Sequence, residues 1–222
     1  MSSHLKVAAR TSPLSRKQIE EVYREIKPFH PHLIFQEVLI ESQGDLDRTT
    51  SLRTLGQTDF FTKEIDLLVL SGQCDIAIHS AKDLPVPLPD GLELIALTKG
   101  LDSSDSLVMK QSTLPFKGIV ATSSLRREES VRELYPEAQF VDIRGTISER
   151  LHRLESGEVD GVVIAEAALI RLGLTHLPRQ RLKGPTAPLQ GKLAIIALQE
   201  NLAMKQLFAC IHTHEKNSLP RA

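Results

Sequence analysis

The stretch CDIAIHSAKDLP, residues 74–85, decides how this chain folds and where its chemistry lies. Its apolar part, CDIAIHS (74–80), predicts a short buried strand that delivers Lys82 and Asp83 side by side at its carboxyl end. Ligands of open α/β sheets bind at the carboxyl ends of strands, and an acid beside a fixed cation is suited to proton transfer. The alternative is that Asp83 forms a turn before Leu84-Pro85 while Lys82 is solvated.

The composition is that of an ordinary globular protein. Its 222 residues allow one or two domains, and 41% of them are hydrophobic and 25% charged. Because 27 Lys and Arg nearly balance 28 Asp and Glu, the basic excess of a general nucleic-acid binder is missing. The lack of Trp and an aromatic share of 4% also disfavour base stacking. We therefore expect no nucleic-acid partner.

The sequence also predicts a cytoplasmic protein with no membrane partner. No apolar run approaches the roughly 18 residues of a membrane span, and the start, MSSHLKVAAR, lacks the apolar core of a signal peptide. The two cysteines, Cys74 and Cys210, lie far apart, which fits a reducing compartment without structural disulfides. Cys210 shares a helical face with Leu207 and Ile211, which predicts a position in the core.

Predicted strands and helices alternate along almost the whole chain, which indicates an α/β architecture. Strands are predicted at 5–9, 34–40, 74–80, 92–98, 106–109, 118–122, 139–143, 161–165 and 193–198. Helices are predicted from Pro13, over 59–71, after Ser124, from Thr146, up to about Gly173 and, last, through about His212. Ser12 is suited to cap the first helix, and Thr146 with Glu149 fits a capping box.

The last apolar strand, LAIIAL (193–198), arrives after a second series of elements and is expected to return to the first sheet. This return predicts two lobes with a cleft between them. The first lobe comprises 1–98 plus 190–222, and the second comprises 99–189.

Three arginine sites share the order strand, small or hydroxyl residue, helix start. They are Arg10, Arg126 with Arg127, and Arg144 with Arg150. Helix N-termini bind anions through free N–H donors and the positive end of the helix dipole, and guanidinium groups match carboxylates and phosphates. Around one cleft, these residues are expected to bind a ligand with several acidic groups. For any single arginine, the alternative is a solvated or surface ion-paired side chain.

The histidines give weaker signals. His79, at the end of an apolar strand, is more typical of a buried structural residue than of a metal ligand. His212, His214 and Glu215 resemble a metal cluster only superficially, because they follow the last helix at a chain end. We expect no metal site.

Six motifs resemble those of a single enzyme family and occur in the same order along the chain. They are AARTSPLS (8–15), FFTKEID (60–66), DIAIHSAKDLPVPLPDGL (75–92), ATSSLRR (121–127), RGTISERL (144–151) and GEVDGVVIAEAALIRLGL (157–174). Through them, nearly the whole chain is similar to the hydroxymethylbilane synthases, also called porphobilinogen deaminases. The resemblance implies two lobes of the type II periplasmic-binding-protein kind plus a small third domain, in a monomer.

The resemblance also implies a reaction in tetrapyrrole (haem) biosynthesis. The family joins four porphobilinogen units into a linear tetrapyrrole and releases ammonia at each step. By the match of motifs, Asp83 transfers protons and stabilises a cationic pyrrole, with Lys82 beside it. The positions that match residues binding the substrate's acetate and propionate groups, or assisting catalysis, are Arg10, Ser12, Ser124, Arg126, Arg127, Arg144, Arg150, Arg171 and Gln190.

The sequence departs from the family pattern in three places. The family's third domain carries a cysteine that binds a dipyrromethane primer through a thioether, whereas this chain ends at Ala222 and neither of its cysteines matches that position. Two lysines that bind the primer in the family are replaced by Thr54 and Thr58. A Gly-Gln-Gly turn has become Leu-Gln-Gly at 189–191.

Three interpretations remain open at this point. The chain is a minimal synthase that holds its primer noncovalently, a porphobilinogen- or tetrapyrrole-binding protein without turnover, or a small-anion-binding protein on the same two-lobe scaffold. The presence of Asp83 favours the first, because a protein that only binds does not need a proton donor. The replacement of both lysines favours the second.

Overall fold

The computed structural model describes residues 3–53, 58–110 and 118–213, which contain ten strands and seven α-helices. The strands are β1 (Ser3–Arg10), β2 (Leu33–Ile40), β3 (Ile76–Ser80), β4 (Leu92–Leu97), β5 (Asp105–Met109), β6 (Ile119–Ala121), β7 (Gln139–Val141), β8 (Gly161–Ala165), β9 (Arg179–Arg181) and β10 (Leu193–Leu198). The helices are α1 (Pro13–Ile26), α2 (Gln43–Leu46), α3 (Lys63–Leu70), α4 (Leu125–Leu134), α5 (Ile147–Glu155), α6 (Glu166–Arg171) and α7 (Leu202–Phe208).

The described residues form two compact units. The first lies within Met1–Leu46, Gln57–Leu101 and Lys192–Ala222, and the second within Asp47–Gly56 and Asp102–Gly191. Residues 47–53 thus group with the second unit, although they fall inside the range 1–98 proposed for the first lobe. Ion pairs between this segment and the second unit account for the difference.

The sheet of the first unit has the strand order β2-β1-β3-β10-β4. Strand β1 is parallel to β2 and β3, and β10 is antiparallel to β3 and β4, so the expected return of the last strand is confirmed. Helix α1 packs on this sheet through Ile19, Val22 and Ile26, whose spacing of three and four residues places them on one buried face. Because β1 and β3 are parallel neighbours, Arg10 and the turn after Ser80 lie at the same sheet edge.

The sheet of the second unit repeats these strand directions in the order β7-β6-β8-β5-β9. Strand β6 is parallel to β7 and β8, and β5 is antiparallel to β8 and β9. The antiparallel β5 therefore begins at the edge where the parallel strands end. Its first residue, Asp105, pairs with Ala165, the last residue of β8. The side chains that follow β6, β7 and β8 share this edge with Asp105.

Local patterns predicted most elements, and the structure corrects three details. The capping box is confirmed, because Thr146 and Glu149 bond reciprocally at the start of α5. The helix predicted over 59–71 is wrong at its start, since α3 begins only at Lys63. The last helix ends at Phe208 and continues as a 3-10 turn, Ala209–Ile211. Helix α2 and strand β9 were not predicted from the sequence; they are four and three residues long.

The prediction that Cys210 lies in the core is wrong, because its side chain is exposed. The prediction assumed α-helical periodicity as far as Ile211. In the 3-10 turn after Phe208, each residue advances about 120° rather than 100°, which moves Cys210 away from the buried face. Among the described helices, none has the length and apolar character required to cross a membrane.

Candidate functional site

Lys82 and Asp83 occupy a 3-10 turn that directly follows β3. The buried residues on both sides of them fix this turn. The N–H of Ala81 donates to the carbonyl of Lys192 (3.1 Å), and the N–H of Leu84 donates back to the carbonyl of Ala81 (3.4 Å). Lys82 and Asp83 themselves are partly exposed. The turn therefore places Asp83 and Lys82 side by side at the carboxyl edge of the first sheet, as predicted from the sequence.

His79 is buried and lies beside an acid, which fits the predicted structural residue. Its Nε2 lies 2.9 Å from Oδ1 of Asp66, and both side chains are buried. His212 is also engaged, because its Nδ1 accepts a hydrogen bond from the N–H of Leu97 (3.0 Å). His214 and Glu215 lie outside the described residues.

Arg10, the last residue of β1, is held by a carboxylate and an aromatic ring. Its Nε donates to Oδ2 of Asp45 (3.0 Å), its Nη2 donates to Oδ1, and the guanidinium lies 4.6 Å from the ring centroid of Phe61. Burial alone raises the pKa of Asp45, but hydrogen bonds and charge from Arg10 and hydrogen bonds from Ser42 lower it overall. Ser12, two residues after Arg10, caps α1 by accepting a hydrogen bond from the N–H of Ser15.

The second unit collects three polar side chains around one buried carboxylate. Oδ1 of Asp105 accepts from Nη2 (2.6 Å) and Nε (3.0 Å) of Arg127 and from Nε2 of Gln190 (3.0 Å). Oδ2 lies 2.8 Å from Nη2 of Arg126, whose Nη1 donates to the carbonyl of Pro185 (2.6 Å). We call Asp105, Arg126, Arg127 and Gln190 the Asp105 cluster.

The Asp105 cluster carries a positive charge. Burial raises the pKa of Asp105, but the charges and hydrogen bonds of Arg127 and Arg126 outweigh it and lower the pKa overall, so this carboxylate is ionised at neutral pH. Two guanidinium cations against one carboxylate leave one net positive charge. About a quarter of the Arg126 side chain is exposed, whereas Asp105 is 3% exposed. The cation, and not the acid, faces solvent.

The remaining arginines predicted for the site contact backbone carbonyl groups of the same unit. Arg144 Nη2 donates to Asp47 (2.6 Å), Arg150 Nε donates to Gly145 (2.9 Å), and Arg171 Nη2 donates to Gly191 (2.8 Å). Ser124 is the N-cap residue of α4, and its N–H donates to Thr122 Oγ1 (3.3 Å). Arg144, Arg150 and Ser124 lie at or near helix starts beyond the carboxyl ends of β6 and β7, whereas Arg171 ends the short helix α6 that follows β8.

Residues 47–53 are attached to the second unit by charged side chains. Arg48 Nη1 lies 2.5 Å from Glu149 Oε1, and Arg53 Nη2 lies 2.5 Å from Glu128 Oε1 and 3.2 Å from the carbonyl oxygen of Thr122. Arg53 is therefore paired with an acid of the second unit. Of the two replaced lysine positions, Thr54 lies outside the described residues, and Thr58 accepts a long hydrogen bond from Phe60 N (3.4 Å).

Neither cysteine lies in the groups described above. Cys74 precedes β3 and is 4% exposed, whereas Lys82 and Asp83 follow the same strand at its other end. Cys210 is exposed, and its Sγ donates to the carbonyl of Leu207 (3.4 Å). Burial raises the pKa of the Cys74 thiol, and partial desolvation raises that of the Cys210 thiol although its side chain is exposed.

The sequence predicted the arginines at the strand ends of both units but missed Asp45 and Asp105, the acids that hold them. Arg10, Ser12, Lys82 and Asp83 lie at one edge of the first sheet. In the second unit, Asp105 brings Arg126, Arg127 and Gln190 together. A signal for this acid was present in the sequence, because Asp105 directly precedes the apolar run SLVM (106–109) and a carboxylate beside a buried strand needs a cationic partner.

Comparison with known proteins gives one family. The family model described as "Porphobilinogen deaminase, dipyromethane cofactor binding domain" matches residues 5–206. A protein named "Probable porphobilinogen deaminase" from Chlamydia pneumoniae is 40% identical over 95% of this chain and 91% of its own length. The porphobilinogen deaminase of Synechococcus sp. (strain CC9311) is 39% identical over 82% of this chain, but this match covers only 60% of its own length.

Solved structures agree on the fold. Lipoprotein Tp32 from Treponema pallidum has a TM-score of 0.58 at 12% identity, covering 95% of this chain and 90% of that protein. The methionine-binding protein MetQ has a TM-score of 0.57 at 12% identity, covering 94% of this chain and 89% of that protein. These likenesses show an α/β fold of the type II periplasmic-binding-protein kind, as predicted from the sequence, and nothing about the ligand.

Proposed function

Since the chain belongs to the porphobilinogen deaminase family, we propose that it is a hydroxymethylbilane synthase that joins porphobilinogen units into a linear tetrapyrrole and releases ammonia. The observation that carries the proposal is the position of Asp83 beside Lys82, in a turn fixed by buried residues at the carboxyl edge of the first sheet. Strand ends of this kind are where α/β folds bind ligands.

Asp83 is the proposed proton donor and acceptor. Loss of the aminomethyl nitrogen of porphobilinogen as ammonia needs a proton and leaves a cationic pyrrole. A partly exposed carboxyl group in a fixed turn can deliver that proton and, once ionised, stabilise the cation. It can then accept the proton that the next pyrrole loses when the new bond has formed. Lys82 lies beside it in the same 3-10 turn.

The proposed role of the arginines is to bind the acetate and propionate groups of the substrate. The Asp105 cluster supports this role most directly, because it carries a net positive charge and the Arg126 side chain is partly exposed. Charge-assisted hydrogen bonds from guanidinium to carboxylate are about twice as strong as neutral ones. Arg10, Arg144, Arg150 and Arg171, with Ser12, Ser124 and Gln190, complete the proposed set of substrate-binding residues.

The family implies a dipyrromethane primer, but neither cysteine of the 222-residue sequence is suited to attach it through a thioether. Cys74 is buried, and burial raises the pKa of its thiol; Cys210 is exposed, but partial desolvation raises the pKa of its thiol too, which disfavours the nucleophilic thiolate at both positions. A primer bound to Cys74 or Cys210 therefore does not enter the proposed mechanism. Arginines of the proposed site can hold the carboxylates of an oligopyrrole without a covalent bond.

We also propose that the protein acts as a monomer in the cytoplasm. Two thiols without a disulfide support a reducing compartment. Light scattering of the purified protein at working concentration tests the oligomeric state, and a dimer mass contradicts this part of the proposal.

The deciding experiment incubates the purified protein with porphobilinogen. Consumption of porphobilinogen and uroporphyrin formed after acid oxidation are followed, and the intact mass of the protein is taken before and after. Product above a blank without enzyme, with no covalent adduct, is the expected result. Binding without product would instead identify a tetrapyrrole-binding protein, and neither binding nor product would refute the proposed substrate.

The variant Asp83→Asn tests the role of the acid. Because general acid–base catalysis contributes about 10²–10⁴-fold, turnover is expected to fall by that factor while porphobilinogen still binds. The matched control is Asp90→Asn, which makes the same change at an exposed carboxylate of the same loop. Asp90→Asn is expected to retain turnover. Wild-type turnover in Asp83→Asn would show that Asp83 does not transfer the proton.

A further inference from the structure

Asp105 connects three side chains that reach it from distant parts of the second unit. Arg126 and Arg127 lie on α4, Gln190 precedes β10, and Asp105 itself begins β5. All five residues of β5 are buried, so the position of the Asp105 backbone is set by the core of the sheet. A second contact holds Gln190, whose Nε2 donates to the carbonyl of Ser103 (2.7 Å).

We infer that Asp105 is a positioning residue that holds Arg126 and Arg127 in the geometry needed to bind substrate carboxylates. This inference rests on the proposed function. Asp105 does not itself bind the substrate, because an anion repels the substrate's acidic groups. It acts through the arginines, by neutralising one of two adjacent cations that would otherwise repel each other.

Two physical effects of Asp105 on an anionic ligand have opposite signs, which makes the inference testable. By charge alone, Asp105 weakens the binding of carboxylates, and its removal should tighten binding. By positioning, Asp105 orders two flexible side chains before the substrate arrives, and its removal should weaken binding. Oδ1 receives three hydrogen bonds and Oδ2 lies 2.8 Å from Arg126, so we expect positioning to exceed the charge effect.

Glu166 offers a matched control in the same sheet. It directly follows Ala165, the partner of Asp105 in the β5–β8 ladder, and it is 1% exposed. It also holds two arginines, since Arg179 donates to both of its carboxylate oxygens (2.7 and 3.0 Å) and Arg181 lies 3.6 Å away. Neither arginine belongs to the proposed substrate-binding set. A purely structural role of a buried carboxylate would therefore give both positions the same phenotype.

The experiment compares Asp105→Asn with Glu166→Gln in steady-state kinetics with porphobilinogen and in urea unfolding. Both variants are expected to lose stability. In Asp105→Asn, KM is expected to rise by about tenfold, because two flexible arginine side chains must then be ordered when the substrate binds, with a smaller change in kcat. In Glu166→Gln, KM is expected to stay unchanged. An unchanged or lower KM in Asp105→Asn, or an equal rise in Glu166→Gln, would overturn the inference.

A second measurement does not depend on the substrate. Phenylglyoxal modifies accessible arginines, and peptide masses report the rate at each position. In the wild-type protein, Arg126 and Arg127 are expected to react much more slowly than the exposed Arg16. Fast reaction of both would overturn the inference even if Asp105→Asn does not fold. If the wild-type protein shows slow labelling but neither binds nor consumes porphobilinogen, the proposed function fails while the Asp105 cluster stands.

Discussion

The substitution Glu149→Gln tests how firmly the start of α5, next to Arg150, is anchored. Oε2 of Glu149 accepts from the N–H (2.7 Å) and Oγ1 (2.9 Å) of Thr146, and Oε1 lies 2.5 Å from Nη1 of Arg48. The hydrogen bond from the Thr146 N–H, followed by that from Arg48, lowers the pKa of Glu149 from 4.5 to about 2. The substitution keeps the shape of the side chain and removes its charge.

The expected loss of stability follows from these contacts. At about 1.36 kcal/mol per pKa unit, the difference between 4.5 and about 2 corresponds to at most about 3.4 kcal/mol. Glu149 is 43% exposed and Arg48 is 60% exposed, so solvent screens their interaction strongly. An exposed ion pair contributes about 0.2–1 kcal/mol, and a helix cap contributes about 1 kcal/mol. We therefore expect Glu149→Gln to lower the free energy of unfolding at pH 7 by about 1–2 kcal/mol.

The assay is urea unfolding of wild type and Glu149→Gln between pH 7 and pH 3. Because the folded pKa is the lower one, the contribution of the charged Glu149 is complete above about pH 4.5 and is lost as the pH falls towards 2. The difference between the two proteins should therefore shrink below about pH 4.5. The control is Glu155→Gln at the exposed end of the same helix, which should change stability by less than about 0.5 kcal/mol. A difference that stays constant down to pH 3 would refute the reasoning.

Two further predictions concern the backbone and the thiols. Leu189 has a φ of 58°, a left-handed conformation that costs a residue with a side chain about 1–2 kcal/mol in the folded protein. Glycine avoids this cost but loses about 0.5–1 kcal/mol more chain entropy on folding. Leu189→Gly is therefore expected to keep or slightly raise the urea midpoint of unfolding. The control is Leu177→Gly, at a half-buried leucine without positive φ, which should lower the midpoint. Equal losses in both variants would contradict the strain at Leu189. Ellman's reagent at alkaline pH is expected to titrate Cys210 in the native protein and Cys74 only after denaturation, and the fast reaction should disappear in Cys210→Ser. Two fast thiols in the native protein would contradict the burial of Cys74.

The sequence predicted those features whose causes are local. Thr146 and Glu149 lie three residues apart, so their capping box is visible in the sequence and is found in the structure. The acids that hold the arginines depend on contacts between distant residues. Arg10 and Asp45 are 35 residues apart, and Arg127 and Asp105 are 22 apart, so no local pattern joins them. The arginines could be predicted because they follow predicted strands. Their acids come close to them only in the folded sheets.

The two sheets have the same order of strand directions, yet the arginines at their strand ends form groups with different net charges. In the first unit, Arg10 faces one carboxylate, Asp45, and the pair is neutral. In the second unit, Arg126 and Arg127 share Asp105, which leaves one positive charge. Under the proposed function, a ligand that gains carboxylates with each added pyrrole is expected to bind more strongly to the second arrangement, because a net positive charge attracts further anions and a neutral pair does not. The proposed acid, Asp83, belongs to the first unit, so proton transfer and the strongest carboxylate binding are assigned to different sheets.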